Sequence, residues 1–382
     1  MIVSLKQGAD AAAVMGELSR RGLWVSQVER GAGGVAAHYV IAPHSAEVSA
    51  EELLRIEGVA GVTSSKSPHP LLDRQGPVVM VGDVRIEAGA RRRPIWMCGP
   101  CSVESEGHAR EVAGAVAPLG VQFLRGGAFK PRTSPYAFQG AGAEALTWLR
   151  RAADAHGLKV VTEAMSEVDV PAVAEHADLI QVGSRNMHNY ALLKSIGRTG
   201  KPALLKRGMA ATLEEWVLAA EYLLSSGASG VVLAERGIRS FDPVTRNLLD
   251  LGAVALLSHV HKLPVIVDPS HGVGRRDLIL PMARASIGAG AAGVMIEVHE
   301  DPARALSDGP QALRLAELAA IVRELGAAPS AAASAAASAA QAVPGSQGMP
   351  AIPAARASSG SSGSGGSGGS PMDGWVQAEG VS

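Results

Sequence analysis

The sequence predicts an α/β protein: a closed (β/α)8 barrel with a small ferredoxin-like module before it and a disordered tail after it. Three observations carry that prediction. Between residues 77 and 326, eight short apolar runs are each followed by a helix-like stretch. The first 66 residues order as β-α-β-β-α-β, the ferredoxin-like pattern. From Ala327 onward the composition turns to Ala-Ser repeats and then a Gly-Ser run, Ser358 to Ser370.

The module opens with the apolar run Met1 to Leu5. A helical stretch (Ala11 to Arg21), two strand-like runs (Leu23 to Val28 and Val35 to Ile41), a second helix (Ala50 to Ile56) and a closing run (Val59 to Val62) follow. Residues 67–76, which include Pro68 and Pro70, read as a linker between a domain at 1–66 and a catalytic domain at 77–326. Gly82-Asp83, flanked by Val78 to Val81 and Val84 to Glu87, is a two-residue hairpin signal. The eight runs after it are Ile95 to Met97, Val121 to Leu124, Val160 to Thr162, Leu179 to Val182, Ala203 to Leu205, Val231 to Ala234, Val265 to Val267 and Val294 to Ile296. Strands alternating with helices pair in parallel, and eight such units in roughly 250 residues match a closed barrel. An open doubly wound sheet is the alternative, but no Gly-x-Gly-x-x-Gly turn follows the first run to support it. In the tail, 327–382, the only charged side chains are Arg356, Asp373 and Glu379. Such a composition buries too little apolar surface to offset the entropy of ordering.

Composition excludes several functions. The 382 residues carry 35 Lys+Arg against 36 Asp+Glu, so the net charge of −1 argues against a nucleic-acid partner. Two cysteines are too few for a disulfide scaffold, and no secretory leader opens the chain, so a cytoplasmic, reducing location is expected. No apolar stretch of about 18 residues is present, and no membrane association is expected.

Catalytic residues of such barrels gather where the strands end, and here those ends are polar. They offer Cys98-Gly99-Pro100-Cys101, Arg125 with Lys130 to Thr133, Glu163, Gly183 to Asn186, Lys206-Arg207, Glu235-Arg236, Asp268 to His271, and Glu297-Val298-His299. Arg125, Lys130, Arg132, Arg185, Lys206 and Arg236 would converge as cations on one mouth, a density suited to more than one phosphate or carboxylate group. Cys101, His271, Glu297 and Asp308 form a second constellation, drawn from the first, seventh and eighth units. A mixed S/N/O set suits a divalent Mn, Fe, Co or Zn ion better than Mg or Ca. Cys98 to Cys101 also spells the Cys-x-x-Cys of a thioredoxin-like redox centre, but eight consecutive strand-helix units are not that fold.

These residues resemble a known family, DAHP synthase, and within it the subgroup with an N-terminal ferredoxin-like extension. The matching motifs are Gly99-Pro100-Cys101-Ser102-Val103-Glu104, the run Leu124 to Tyr136, Gln181 to Asn186, Leu205-Lys206-Arg207-Gly208, Asp268 to Gly272, and Met295 to His299. The resemblance implies condensation of phosphoenolpyruvate with erythrose 4-phosphate to 3-deoxy-D-arabino-heptulosonate 7-phosphate and phosphate, the first step of the shikimate pathway. By the same resemblance, Arg125, Lys130 and Lys206 face the phosphoenolpyruvate carboxylate, Arg185 and Arg236 hold its phosphate, and Arg132 and Thr133 take the erythrose phosphate. Ser184 and Asp268 are expected at the substrates too. The metal ligands map onto Cys101, His271, Glu297 and Asp308. Lys130, Glu163, Lys206 and His271 are the expected catalytic groups, with Glu163 orienting or deprotonating the water that adds at C2 and Lys206 relaying a proton.

Two alternatives compete. A sister family condenses phosphoenolpyruvate with arabinose 5-phosphate to 3-deoxy-manno-octulosonate 8-phosphate, but it carries a Lys-Ala-Asn type of aldose loop where this chain has Lys130-Pro131-Arg132-Thr133. An inactive barrel serving as an amino-acid sensor would lack catalytic positions, and every expected one is filled. In the family the module covers the barrel mouth and binds aromatic amino acids, the expected effectors, although this one is short with Ala-Gly-rich connections. Family members are dimers or tetramers, so a homo-oligomer is expected. Cys98 replaces a small or aliphatic residue of the family pattern; a disulfide to Cys101 would remove a metal ligand, and a packed, inert thiol is the simpler reading.

Overall fold

The computed structural model describes residues 1–28, 38–41, 46, 48–63, 67–89, 93–130, 136 and 138–326. The expected tail at 327–382 lies outside them.

The chain opens β1 (Ile2–Leu5), α1 (Ala11–Arg20), β2 (Val25–Val28), β3 (His38–Ile41), α2 (Ala50–Leu54) and β4 (Val59–Thr63). The sheet order is β2-β3-β1-β4, and β1 runs antiparallel to both β3 and β4. That is the expected ferredoxin-like arrangement. Asp10 caps α1 through the Ala13 N–H, and Ser49 with Glu52 closes a capping box on α2, satisfying donors that a helix start leaves free. Val3, Leu18, Tyr39, Leu53 and Val59 fill the core beneath the helices.

The stretch expected as a linker contains a helix, α3 (Pro70–Gln75). Pro70 occupies its first turn, where the missing N–H costs nothing. Glu221 accepts from the Leu71 and Leu72 N–H groups at 2.9 and 2.8 Å. The Gln75 side chain donates to the Val231 carbonyl and accepts from the Val231 N–H, so the segment is tied to the barrel.

β5 (Val78–Val81) and β6 (Val84–Glu87) form the expected hairpin. The barrel follows: β7 (Ile95–Gly99), α4 (Glu106–Val116), β8 (Phe123–Arg125), α5 (Ala143–Asp154), β9 (Lys159–Glu163), α6 (Val170–His176), β10 (Leu179–Val182), α7 (Tyr190–Arg198), β11 (Ala203–Lys206), α8 (Leu213–Ser225), β12 (Val231–Glu235), α9 (Leu251–Ala255), β13 (Val265–Val267), α10 (Pro269–Val273), α11 (Ile279–Gly288), β14 (Gly293–Glu297) and α12 (Leu315–Gly326). All eight barrel strands are parallel, and β14 closes on β7 with Met295 opposite Met97.

Val79, Val81 and Ile86 of the hairpin pack against Met97, Phe123, Val161, Leu204 and Met295 inside the barrel. Lys159, at the start of β9, pairs with Asp83 in the hairpin turn at 2.7 Å. The hairpin thus plugs the amino-terminal end, which leaves the strands' carboxyl ends as the open mouth.

Candidate active site

Strand alternation decides which polar residues enter the mouth. Lys206 lines it, whereas Arg207 next to it turns outward, donating to Glu235 at 3.2 Å and Asp250 at 2.8 Å and lying over the Trp216 ring. Arg236 lines the mouth, while Glu235 is consumed by Arg207 and the Gly237 N–H. The cavity wall holds Arg125, Lys130, Arg185, Lys206, Arg236 and Arg246, with Glu163, Ser184, His271 and Asp308 among them. Five of the six expected cations are therefore brought together. Arg132 and Thr133 lie outside the described residues.

Arg246 was not foreseen. It reaches the pocket from the loop after β12, donates to Gln311 at 2.8 Å and stands 4.0 Å from Asp308. Gln181 also lines the cavity and donates to Glu163 at 2.9 Å; a glutamine inside the buried run Leu-Ile-Gln-Val was the available signal. Glu163 makes no ion pair with a described Lys or Arg. Gly183 makes room for it, since a Cβ there would sit 2.0 Å from Glu163 Oε1.

The four candidate ligands meet. Cys101 Sγ lies 3.1 Å from Asp308 Oδ2, and His271 Nε2 lies 3.2 Å from Glu297 Oε1 and 4.0 Å from Asp308 Oδ2. All four ligand atoms fall within 4.8 Å of one another. Bonds of about 2.0–2.3 Å to a central ion give separations of this size, and the S/N/O donor set fits a first-row divalent metal. Neighbours orient each ligand. Lys130 donates to Cys101 Sγ at 3.1 Å, Arg125 to Glu297 Oε1 at 2.7 Å, and Gln311 to Glu297 Oε2 at 2.6 Å.

Asp268, expected at the substrates, lies behind the cavity wall. It is wholly buried, absent from the cavity wall, and its oxygens are occupied by Lys206 at 2.6 Å, His271 Nδ1 at 2.7 Å and the His271 N–H at 3.0 Å. It thereby orients the Lys206 ammonium of the pocket and the His271 imidazole of the candidate ligand set. Burial alone would raise its pKa, but His271 and Lys206 hold its carboxyl well below the usual range. Glu297 is likewise held low, by His271 and then Arg125, against burial. Burial opposes charge on His271, yet Asp268 and Glu297 push its pKa up to about 10. An arriving ion must displace that proton. Burial also lowers the pKa of Arg236, whose Nη1 has no hydrogen-bond partner, as have Arg125 Nε and Ser184 Oγ. A cationic pocket with unspent donors is built for an anion.

Cys98 and Cys101 are both free and buried. Met97 belongs to the barrel interior, so Cys98 faces the helix layer and turns away from Cys101. Burial pushes the Cys98 thiol pKa up, which makes it a poor nucleophile. The geometry fits the inert-thiol reading and not a redox pair.

The family model for the DAHP synthetase I family matches residues 63–329. Phospho-2-dehydro-3-deoxyheptonate aldolase of Thermotoga maritima is 46% identical over 282 residues, covering 73% of this chain and 82% of that protein. A 2-dehydro-3-deoxyphosphooctonate aldolase of Nitrobacter hamburgensis is 33% identical, covering 67% of this chain and 94% of that protein. Among solved structures, the Thermotoga maritima DAHP synthase superimposes with a TM-score of 0.65 at 42% identity, covering 85% of this chain and 95% of that one. A truncated form of the enzyme from the same organism gives 0.60 at 48% identity, covering 65% and 89%.

Proposed function

Because the chain belongs to the DAHP synthetase I family, we propose that the cations and the candidate metal ligands of its barrel mouth divide the work of the family's condensation between them. The reaction is condensation of phosphoenolpyruvate with erythrose 4-phosphate to 3-deoxy-D-arabino-heptulosonate 7-phosphate and inorganic phosphate, at the head of the shikimate pathway. The enzyme's identity to the heptonate aldolase exceeds that to the octonate aldolase, 46% against 33%.

The convergence of Cys101, His271, Glu297 and Asp308 beside six cations carries the mechanistic reading. Arg125, Lys130 and Lys206 take the phosphoenolpyruvate carboxylate, and Arg185, Arg236 and Ser184 its phosphate; Arg246, on the same wall, is a further anion contact. Arg132 and Thr133 take the erythrose phosphate. Cys101, His271, Glu297 and Asp308 would hold a divalent Mn, Fe, Co or Zn ion, which as a Lewis acid polarises the aldehyde for attack by C3 of the enol phosphate. Attack leaves positive charge at C2, where water adds. Glu163, within the pocket and unpaired to any described cation, takes the water's proton. Lys206, its ammonium aimed by Asp268, relays a proton to the former aldehyde oxygen, which becomes a hydroxyl, and is reprotonated from solvent. The resulting hemiketal phosphate loses inorganic phosphate into the Arg185 and Arg236 side of the mouth.

A homodimer or homotetramer, inhibition by an aromatic amino acid through the N-terminal module at 1–66, and a cytoplasmic location complete the proposal. The module's ferredoxin-like sheet supports the effector reading, and the two free thiols support the reducing location. Among the described residues no helix is long and apolar enough to cross a membrane.

The deciding experiment measures product from phosphoenolpyruvate with erythrose 4-phosphate or arabinose 5-phosphate, before chelation, after it, and after adding each metal back. Turnover that survives full chelation overturns the metal role, and a preference for arabinose 5-phosphate overturns the substrate assignment. Sedimentation and inhibition by tyrosine or phenylalanine test the assembly and the effector.

A further inference from the structure

Glu104, His108 and His299 form a second convergence of metal-binding residue types, their ligand atoms within 4.8 Å of one another and Glu300 beside them. Their hydrogen bonds argue against an ion. The Asp301 N–H donates to His299 Nδ1 at 3.0 Å and the Glu104 N–H to His108 Nδ1 at 3.4 Å. Each neutral ring therefore carries its proton on Nε2, the nitrogen facing a carboxylate, with no lone pair there to give.

The position of this cluster shows another use. Glu104 lies on the loop after β7 that carries Cys101; His299 and Glu300 begin the loop after β14 that carries Asp308. Glu104 Oε1 accepts from the Leu306 N–H at 2.7 Å, and the buried hydroxyls of Ser102 and Ser307 meet at 2.6 Å. Both ties flank the two ligands. Asp308 itself has φ 50°, left-handed for a side-chain-bearing residue, a conformation that persists only where its surroundings impose it. Gly309 closes the same loop so tightly that a Cβ would lie 2.2 Å from the Pro302 carbonyl oxygen.

We propose that Glu104, helped by the Ser102–Ser307 pair, is a positioning residue: it braces the β14 loop so that Asp308 stands against Cys101 before any ion arrives. The inference rests on the reading of Cys101, His271, Glu297 and Asp308 as metal ligands. Bracing of this kind acts on metal affinity, because a ligand held in place loses no freedom on binding.

The test uses the full chain, freed of metal by chelation and titrated with Co2+, followed by the Cys101 thiolate-to-cobalt absorption band. The melting temperature of the metal-free protein is measured in parallel. Glu104→Ala and Ser307→Ala should each weaken Co2+ binding by about 10- to 100-fold, with the metal-free melting temperature close to wild type. Glu104→Gln keeps an oxygen for the Leu306 N–H and should recover most of the loss. Wild-type Co2+ affinity in Ser307→Ala and in whichever Glu104 variant folds overturns the proposal, as does a Glu104→Gln as weak as Glu104→Ala. Cys101→Ser and Asp308→Asn separate the two readings: wild-type binding in both overturns the metal site itself. Their failure beside an intact Glu104→Ala overturns only the brace.

Discussion

Lys206 Nζ stands 2.6 Å from Asp268 Oδ2, with the lysine 5% exposed and the aspartate fully buried. The same oxygen lies 2.7 Å from His271 Nδ1. One carboxylate oxygen thus holds both a cation of the barrel mouth and an imidazole of the candidate ligand set, so the proposed anion and metal sites share a support.

Asp268→Asn should disturb both at once. The amide keeps the shape and loses the charge, so turnover should fall about 10- to 100-fold and Co2+ affinity by a similar factor. Steady-state kinetics and metal titration read the two losses separately. A variant losing only one of them would mean that the shared oxygen does not couple them.

Glu163→Gln should lower turnover at least about 100-fold while leaving the phosphoenolpyruvate KM near wild type, as expected for a group acting on the water rather than the anion. Gly183→Ala provides an independent route to the same loss, because its Cβ would collide with Glu163 Oε1. Near-normal turnover in Glu163→Gln removes that residue from the chemistry.

Arg236→Ala should reduce kcat/KM for phosphoenolpyruvate about 10- to 100-fold, the scale of one charge-assisted hydrogen-bond set of about 1.5–3 kcal/mol. Arg236 is buried with a spare Nη1 and has no acid within ion-pair distance among the described residues. Its loss therefore leaves no orphaned carboxylate behind, and the melting temperature should change little.

Glu221 predicts a pH dependence of stability. Burial raises its pKa from 4.5 to about 7, against the Leu71 and Leu72 N–H groups that favour the charge. The folded state then binds a proton that the unfolded chain has released, so stability is greatest below about pH 4.5 on this account and falls as pH rises through 7. The contribution reaches up to about 3 kcal/mol. Urea unfolding between pH 5 and 8 measures the slope, which Glu221→Gln should flatten. A slope that persists in the variant assigns it to other groups.

The barrel is readable because each strand is a dense apolar run ending in a polar group. Leu179–Val182 and Val265–Val267 coincide with their runs residue for residue. The meeting of Cys101, His271, Glu297 and Asp308 is readable too, because β13, β14 and β7 are neighbours in the closed ring. Side-chain partners are harder to read. Asp268 looks like one more mouth carboxylate until Lys206, 62 residues earlier, is seen to occupy it. Arg246 enters the pocket from a long loop whose course is set by a bond between its N–H and the Val273 carbonyl, a contact no local pattern encodes. Before and at the start of α3, Pro68 and Pro70 suggest a linker, while Pro70 instead sits where a helix tolerates it best.

Cys101 and Asp308 touch across 207 positions of chain, because β7 and β14 are the first and last strands of a closed ring. During synthesis the thiol emerges long before the carboxylate that completes its site. A growing chain therefore offers an isolated cysteine and no matched metal-binding geometry until nearly the whole barrel has been made. With the proposed ligand set, metal capture would be a certificate of completion: a chain interrupted before residue 308 would lack one of the four ligands, and slower hydrogen exchange in β7 and β14 on metal loading would record the ring being sealed.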